Sequence, residues 1–206
     1  MKQFCARVFT ALILTLGVAA AVPSQSSASV TQRVVLAGGC CWGLQGVFEP
    51  LKGVTQVVAG YSGGSAATAH YEIVSTGLTG HAESVEITYN PSQISFKQLL
   101  DVYFLVAHDP TELNRQGPDD GSQYRSEIFY TSASQLAEAK AYIRHLSSTK
   151  VYSAPIVTKL EPLRTFYPAE AYHQDYMAHN PNDPYIVYND KPKLAALHRR
   201  FPQLLK

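Results

Sequence analysis

Two adjacent cysteines stand in Gly38-Gly39-Cys40-Cys41-Trp42-Gly43, between an apolar run and an amphipathic one. Arg33-Val34-Val35-Leu36-Ala37 reads as a buried strand, the glycines as a tight turn, and residues 42–48 as the first turns of a helix. The spacing therefore puts Cys40 at a helix N-terminus. Unpaired N–H groups and the positive end of the helix dipole favour a thiolate there, so the expectation is a cysteine that is nucleophilic near neutral pH. The alternative is a pair of buried cysteines acting as small apolar fillers. A strand–glycine–helix turn is a backbone surface rather than a core, which favours chemistry over filling.

The chain has 206 residues, 46% hydrophobic and 16% charged, which suits one domain with its own core and no need of disulfide staples. Lys2 and Arg7 flank an apolar stretch over residues 8–22, and Ser26-Ser27-Ala28 offers a small-residue cleavage site, with Ala20 or Ala21 as others. Residues 1–28 are expected to be a secretory signal and 29–206 the catalytic domain, periplasmic or secreted. The apolar stretch is too short for a comfortable membrane span, so none is expected in the mature protein. Cys5 would leave with the signal. Its removal takes Lys+Arg from 17 to 15 against 16 Asp+Glu. A near-neutral chain with no basic stripe argues against nucleic acid, and no cationic face argues for a membrane surface. An oxidising compartment selects for paired structural cysteines, yet only two remain, side by side, so they are better explained by chemistry than by stapling.

Other elements must position these cysteines. Residues 54–61 read as a second strand closed by Ser62-Gly63-Gly64, and a polar stretch runs to Gly80. Residues 83–89 alternate at period two as a half-buried strand ended by Asn90-Pro91-Ser92. Helices are expected over 96–107 and 133–146, strands over 125–130 and 156–160, and over 108–123 a long loop, of a length that is usually functional or disordered, in which Asp109 and Asp120 form turns. From Phe166 onward only a short helix over 169–178 and a terminal one over 193–200 are expected. The tyrosine-rich tail reads as cover for the sheet edge or as a wall of the substrate groove. The order gives an α+β domain, a two-layer sandwich of helices on a mixed, mainly antiparallel sheet with a βαββαβ core and an extended C-terminal segment.

Five strings occur in order: Gly-Gly-Cys-Cys-Trp-Gly at 38–43, Gly-Tyr-Ser-Gly-Gly at 60–64, Thr-Gly-His-Ala-Glu at 79–83, Gln-Gly-Pro-Asp-Asp-Gly-Ser-Gln-Tyr-Arg-Ser at 116–126, and Phe-Tyr-Pro-Ala-Glu with Tyr-His-Gln at 166–174. Together they resemble the peptide methionine sulfoxide reductase A family, from about residue 33 to the end. The resemblance implies reduction of the S epimer of methionine sulfoxide, free or in proteins, through a nucleophilic cysteine and no metal. It is a protein-repair activity of the oxidative stress response. Carried over by position, the nucleophile is Cys40, the acid Glu83, the tyrosines beside the sulfoxide oxygen Tyr71 and Tyr124, and a further carboxylate Asp119. Trp42 and the residue before it, Cys41, would line the pocket for the substrate methyl group. No bound cofactor is implied. An external thiol, a thioredoxin-like protein or dithiothreitol in vitro, would regenerate the enzyme.

The residue types make sense independently. A sulfoxide oxygen leaves only after taking a proton, so a thiolate needs a carboxylic acid kept protonated by an apolar pocket, and tyrosine hydroxyls stabilise charge on that oxygen. The product on the enzyme is a sulfenic acid. Taken alone, Glu83 reads as a surface carboxylate at a strand end; only its motif makes it the acid. His81 reads as a support for the loop before it. Cys41 replaces the phenylalanine of the family motif Gly-Cys-Phe-Trp-Gly and removes part of the methyl pocket's apolar surface. No cysteine follows it, so Cys41 is the one internal candidate to resolve the sulfenic acid. Adjacent Cα atoms lie about 3.8 Å apart, below the roughly 4.4 Å at which disulfides begin, and helical neighbours point apart, so direct attack by an external thiol is favoured. His70, His81, His173 and His179 with the cysteines could suggest a zinc or copper site, but no spacing among them matches a ligand pattern such as C-x₂-C or H-x₃-H, so no metal is expected. A thiol–disulfide oxidoreductase would carry C-x-x-C, which is absent. A non-catalytic peptide-binding module with a degenerate site is the remaining alternative. A monomer is expected, since no apolar face reads as unburied.

Overall fold

Four consecutive residues with no exposed surface, Val34, Val35, Leu36 and Ala37, mark the central strand of the sheet. The computed structural model describes Met1 and residues 30–206. Met1 apart, the signal expected over 1–28, with Cys5, lies outside the described residues. In chain order the elements are β1 (Gln32–Ala37), α1 (Cys41–Phe48), β2 (Val54–Ser62), α2 (Tyr71–Val74), β3 (Ala82–Tyr89) and α3 (Phe96–Val102), which continues as a π-helical segment over Tyr103–Ala107. A small hairpin, β4 (Arg115–Gln116) and β5 (Asp119–Asp120), precedes β6 (Glu127–Tyr130), α4 (Ala133–Thr149), β7 (Lys159–Pro162), β8 (Phe166–Pro168), α5 (Tyr176–His179) and α6 (Lys191–Arg200).

The sheet runs β7-β6-β1-β3-β2-β8. Every neighbouring pair is antiparallel except β6 with β7. This is the expected α+β arrangement. Alternation sends Val34 and Leu36 toward the helices, where they meet Leu44, Val47 and Phe48 of α1, Val85 and Ile87 of β3, and Leu99, Leu100 and Phe104. Each such buried side chain contributes about 1.5–3 kcal/mol, so this layer fixes where α1 sits. Val35, Ala37, Ala82 and Phe129 face the other way, under Leu163 and Phe166. Local signals start the helices: Ser95 and Gln98 form a reciprocal capping box on α3, and the Ser132 hydroxyl accepts from the Gln135 N–H on α4.

The structure departs from expectation where partners distant in sequence compete with the ladder. The strand expected over 156–160 lies at Lys159–Pro162, because the Val157 N–H is taken by the Pro110 carbonyl and pairing begins when Lys159 N–H meets Ser126 O. The helix expected over 169–178 is broken at Asp175, which is left-handed with φ 53°. There Gln174 acts as a strand substitute: its side chain accepts from Ala59 N–H and donates to Ala59 O, both at 2.9 Å. The polar stretch before Gly80 contains α2, and the tail contributes the edge strand β8; neither is expected from pattern. Among the described residues no helix is long and apolar enough to cross a membrane.

Candidate active site

β1 delivers the chain to Gly39, whose φ of +98° turns it toward α1; a Cβ there would lie 2.7 Å from Gln116 Cγ. The Gly39 N–H donates to Tyr124 O at 3.1 Å, which brings the Tyr124 segment beside the cysteines. Cys40 is the N-cap of α1, extended and half-buried. The neighbouring Cys41 thiol and Trp42 N–H favour its thiolate. Those donors do not prevail: burial pushes the Cys40 thiol up, and the carboxylates of Glu83 and Asp190 add to the rise. The expected low-pKa thiolate of the resting enzyme is thereby corrected. A single helix turn's N–H groups are outweighed by desolvation and two nearby carboxylates.

Glu83 is the second residue of β3, and the period-two alternation puts it on the same face as Val85, Ile87 and Tyr89, inside the helical layer. It is 3% exposed, not the surface carboxylate that a strand end suggests. The Cys41 N–H, first in α1, donates to its Oε2 at 3.2 Å. Burial drives Glu83 up to about 7, with the Asp119 carboxylate raising it further and the Cys41 donors opposing. Glu83 is thus half-protonated at neutral pH, as an acid donating to an oxygen must be.

The other expected residues converge on the same point. Tyr71 and Tyr124 are both pushed up, first by burial and then by the Glu83 charge, and both feel Cys40. The Asp119 carboxyl, raised by burial, accepts from the Tyr185 hydroxyl. Trp42 donates from Nε1 to His173 Nδ1 at 2.9 Å and stacks on Tyr176 with ring centroids 3.7 Å apart. Cys41 sits elsewhere than expected. It is 2% exposed and belongs to the main core, so it presents little surface to a substrate. The apolar wall is made instead by Trp42 with Tyr176 and, edge-on, Tyr185. Nor do the two thiols point apart: both sulfurs and a Glu83 oxygen lie within 4.8 Å of one another. Cys40 is extended rather than helical, so the angular offset of helical neighbours does not apply.

The frame around these groups was largely invisible in the sequence. Glu170 accepts from Tyr61 OH at 2.9 Å and from Tyr71 N–H at 3.0 Å, anchoring α2 and with it Tyr71. Buried Arg125 donates to Glu127 and to the carbonyls of Gly80, His81 and Ser122, tying the segment before Glu83 to the segment that carries Tyr124. His81 does support its loop, accepting from Gly64 N–H and bonding Ser65 O. Asp190, fully buried, pairs through Oδ1 with Lys193 at 3.0 Å and packs on Gly43 of α1. Its position inside the last aromatic run gave no pattern to read.

A nucleophilic sulfur, a protonated carboxylic acid, two phenols and an aromatic wall suit transfer of an oxygen from a small apolar sulfoxide. The sequence model of the family described as "Peptide methionine sulfoxide reductase" matches residues 32–204. The chain belongs to that family. It is 56% identical over 180 residues to "Peptide methionine sulfoxide reductase MsrA 2" of Mesorhizobium japonicum, covering 87% of this chain and 92% of that one. It is 47% identical over 171 residues to the MsrA protein of Thermus thermophilus, covering 83% and 96%. Among solved structures, Mxr1 of Saccharomyces cerevisiae in reduced form aligns with TM-score 0.70 and 34% identity over 74% of this chain and 87% of that one. Methionine sulfoxide reductase A of Corynebacterium diphtheriae aligns with TM-score 0.66 and 31% identity over 77% and 78%.

Proposed function

We propose that this chain, an oxidoreductase of that family, reduces methionine sulfoxide to methionine with Cys40 as nucleophile and Glu83 as acid. The observation that carries the reading is Glu83 itself: a carboxyl 3% exposed, raised to about 7, held by the Cys41 N–H within reach of the Cys40 sulfur. The substrate methyl group rests on Trp42 and its oxygen points to Glu83, Tyr71 and Tyr124. The reactive form of the Cys40–Glu83 pair carries one proton, on the carboxyl, with the sulfur as thiolate. The Cys40 thiolate attacks the sulfoxide, the proton passes from Glu83 to the oxygen, and as the oxygen's bond to the methionine sulfur breaks one to the Cys40 sulfur forms, so that methionine leaves and the hydroxyl stays on Cys40. Methionine sulfur gains two electrons and the Cys40 sulfur loses them, ending as a sulfenic acid. Tyr71 and Tyr124 are neutral donors to the oxygen, and Asp119 keeps the Glu83 proton in place by its charge.

Regeneration runs through an external thiol, a thioredoxin-like protein or dithiothreitol, that attacks the sulfenic acid and releases water. Cys41 is the internal alternative: its thiol would displace water from the sulfenic acid and leave a vicinal disulfide. The proposed substrates are the S epimer, free or in oxidised proteins, acted on by a monomer exported by its N-terminal segment to the periplasm or medium. The test is an epimer-resolved turnover assay on purified protein with excess dithiothreitol. Loss of the S epimer alone supports the reading. Conversion of neither epimer, with oxidised peptide still bound, would favour a binding module.

A further inference from the structure

We propose that Cys40, Cys41 and Glu83 form a capture site for one soft divalent cation, of the zinc or cadmium class, that holds the reduced protein inactive. The three donor atoms, two sulfurs and a carboxylate oxygen, already lie within 4.8 Å of one another. Tetrahedral zinc with sulfur at about 2.3 Å and oxygen at about 2.0–2.2 Å needs its ligand atoms roughly 3.3–3.8 Å apart. From separations of at most 4.8 Å, the triangle has to close by no more than about 1 Å to meet that requirement.

The donor types select the cation. Two thiolates with one carboxylate are a soft-to-borderline set, unsuited to magnesium or calcium, which take oxygen ligands. Burial strengthens the choice, since Cys41 is 2% and Glu83 3% exposed and, among the described residues, no lysine or arginine side chain bonds the Glu83 carboxylate. Half-buried Cys40 leaves one side open for the cation to enter and for a water to complete the tetrahedron. The pairing depends on Cys41. The phenylalanine of the family motif brings no donor, and Cys40 with Glu83 alone would be a two-ligand site. In the binding step two S–H bonds and, where present, the Glu83 O–H bond break, two S–metal bonds and one O–metal bond form, and the protons go to solvent. No electrons move. With its lone pair in a metal bond, Cys40 cannot attack a sulfoxide, a consequence that rests on the reductase reading although the binding does not.

The test uses the fully reduced chain without thiols in the buffer. Titration with cadmium is expected to give a thiolate charge-transfer band that saturates at one equivalent, and Cys41→Ser is expected to weaken binding at least tenfold. A second measurement needs no variant: one equivalent of zinc should slow alkylation of both cysteines in parallel, read by intact mass. The proposal is overturned by cadmium affinity unchanged in Cys41→Ser, by absence of the band, or by zinc protection of Cys40 alone or of neither cysteine. Metal-free turnover of the same preparation, measured alongside, shows whether the reductase reading stands or falls separately.

Discussion

Replacing Glu83 by Gln keeps an acceptor for the Cys41 N–H, now 3.2 Å from Oε2, and removes the acid. A positioned general acid is worth about 10²–10⁴ in rate, or roughly 3–5 kcal/mol of barrier, so single-turnover methionine formation at pH 8 should fall by that factor. The pH profile distinguishes this from structural damage. In the unmodified protein the pair must hold one proton, and Glu83 titrates at about 7 while Cys40 lies above the usual thiol range. At pH 6 both groups are protonated and the pair carries one proton too many. Single-turnover rate at low substrate should therefore rise about tenfold from pH 6 to pH 8 and decline only beyond the Cys40 titration. In Glu83→Gln the limb near 7 disappears and the residual rate climbs monotonically with the thiolate fraction. Stability gives an independent sign. The folded value is raised above the unfolded 4.5, so the contribution is full below pH 4.5 and is lost as pH rises to about 7, at most about 3 kcal/mol, and the Gln variant lacks that loss. A wild-type rate that is flat or falling between pH 6 and pH 8, or a Gln variant slowed less than tenfold, would refute the reasoning.

Gly43→Ala places a Cβ 2.1 Å from Asp190 Oδ1; the strain should cost about 1–3 kcal/mol and lower the urea midpoint at unchanged slope, and an unmoved midpoint would deny the close approach of Asp190 to α1. Tyr176→Ala removes the ring stacked 3.7 Å from Trp42, a pair worth about 0.5–1.5 kcal/mol, and opens the wall, so KM for an oxidised peptide should rise with kcat little changed. A KM equal to wild type removes Tyr176 from the wall. Arg125→Met leaves the Glu127 carboxylate and three carbonyls without their donor, a loss of about 3–5 kcal/mol in chemical denaturation, and a loss below about 1 kcal/mol would mean that water replaces the guanidinium.

The fold was legible where one pattern dominates. Val34 to Ala37, the alternation of Val85, Ile87 and Tyr89, and the caps Ser95 and Ser132 each state a strand face or a helix start that packing then keeps. The alternation also carried an unread message, since Glu83 shares the parity of Val85 and so had to face the core. What stayed hidden depends on partners distant in sequence. Asp175 turns left-handed because Gln45, 130 residues earlier, accepts from its N–H, and residues 156–158 leave the sheet because Pro110 claims Val157. The ionisation of Cys40 differs from the local expectation for the same reason. A helix N-terminus is a local feature, whereas the burial that opposes it is a property of the folded chain and the opposing charges come from Glu83 on β3 and Asp190 in the tail. Cys41 illustrates both sides: a cysteine where the family motif has phenylalanine is visible in the sequence, but its burial in the main core is not.

The central claim is most directly tested by a reductant-free single turnover on a peptide carrying S-epimer methionine sulfoxide, scoring methionine and intact protein mass together. The account predicts one methionine per chain and one added oxygen that maps to Cys40. A product accompanied by loss of two hydrogens would keep Cys40 as nucleophile and move regeneration to Cys41. No methionine, or an oxygen found on any residue other than Cys40, would contradict the account.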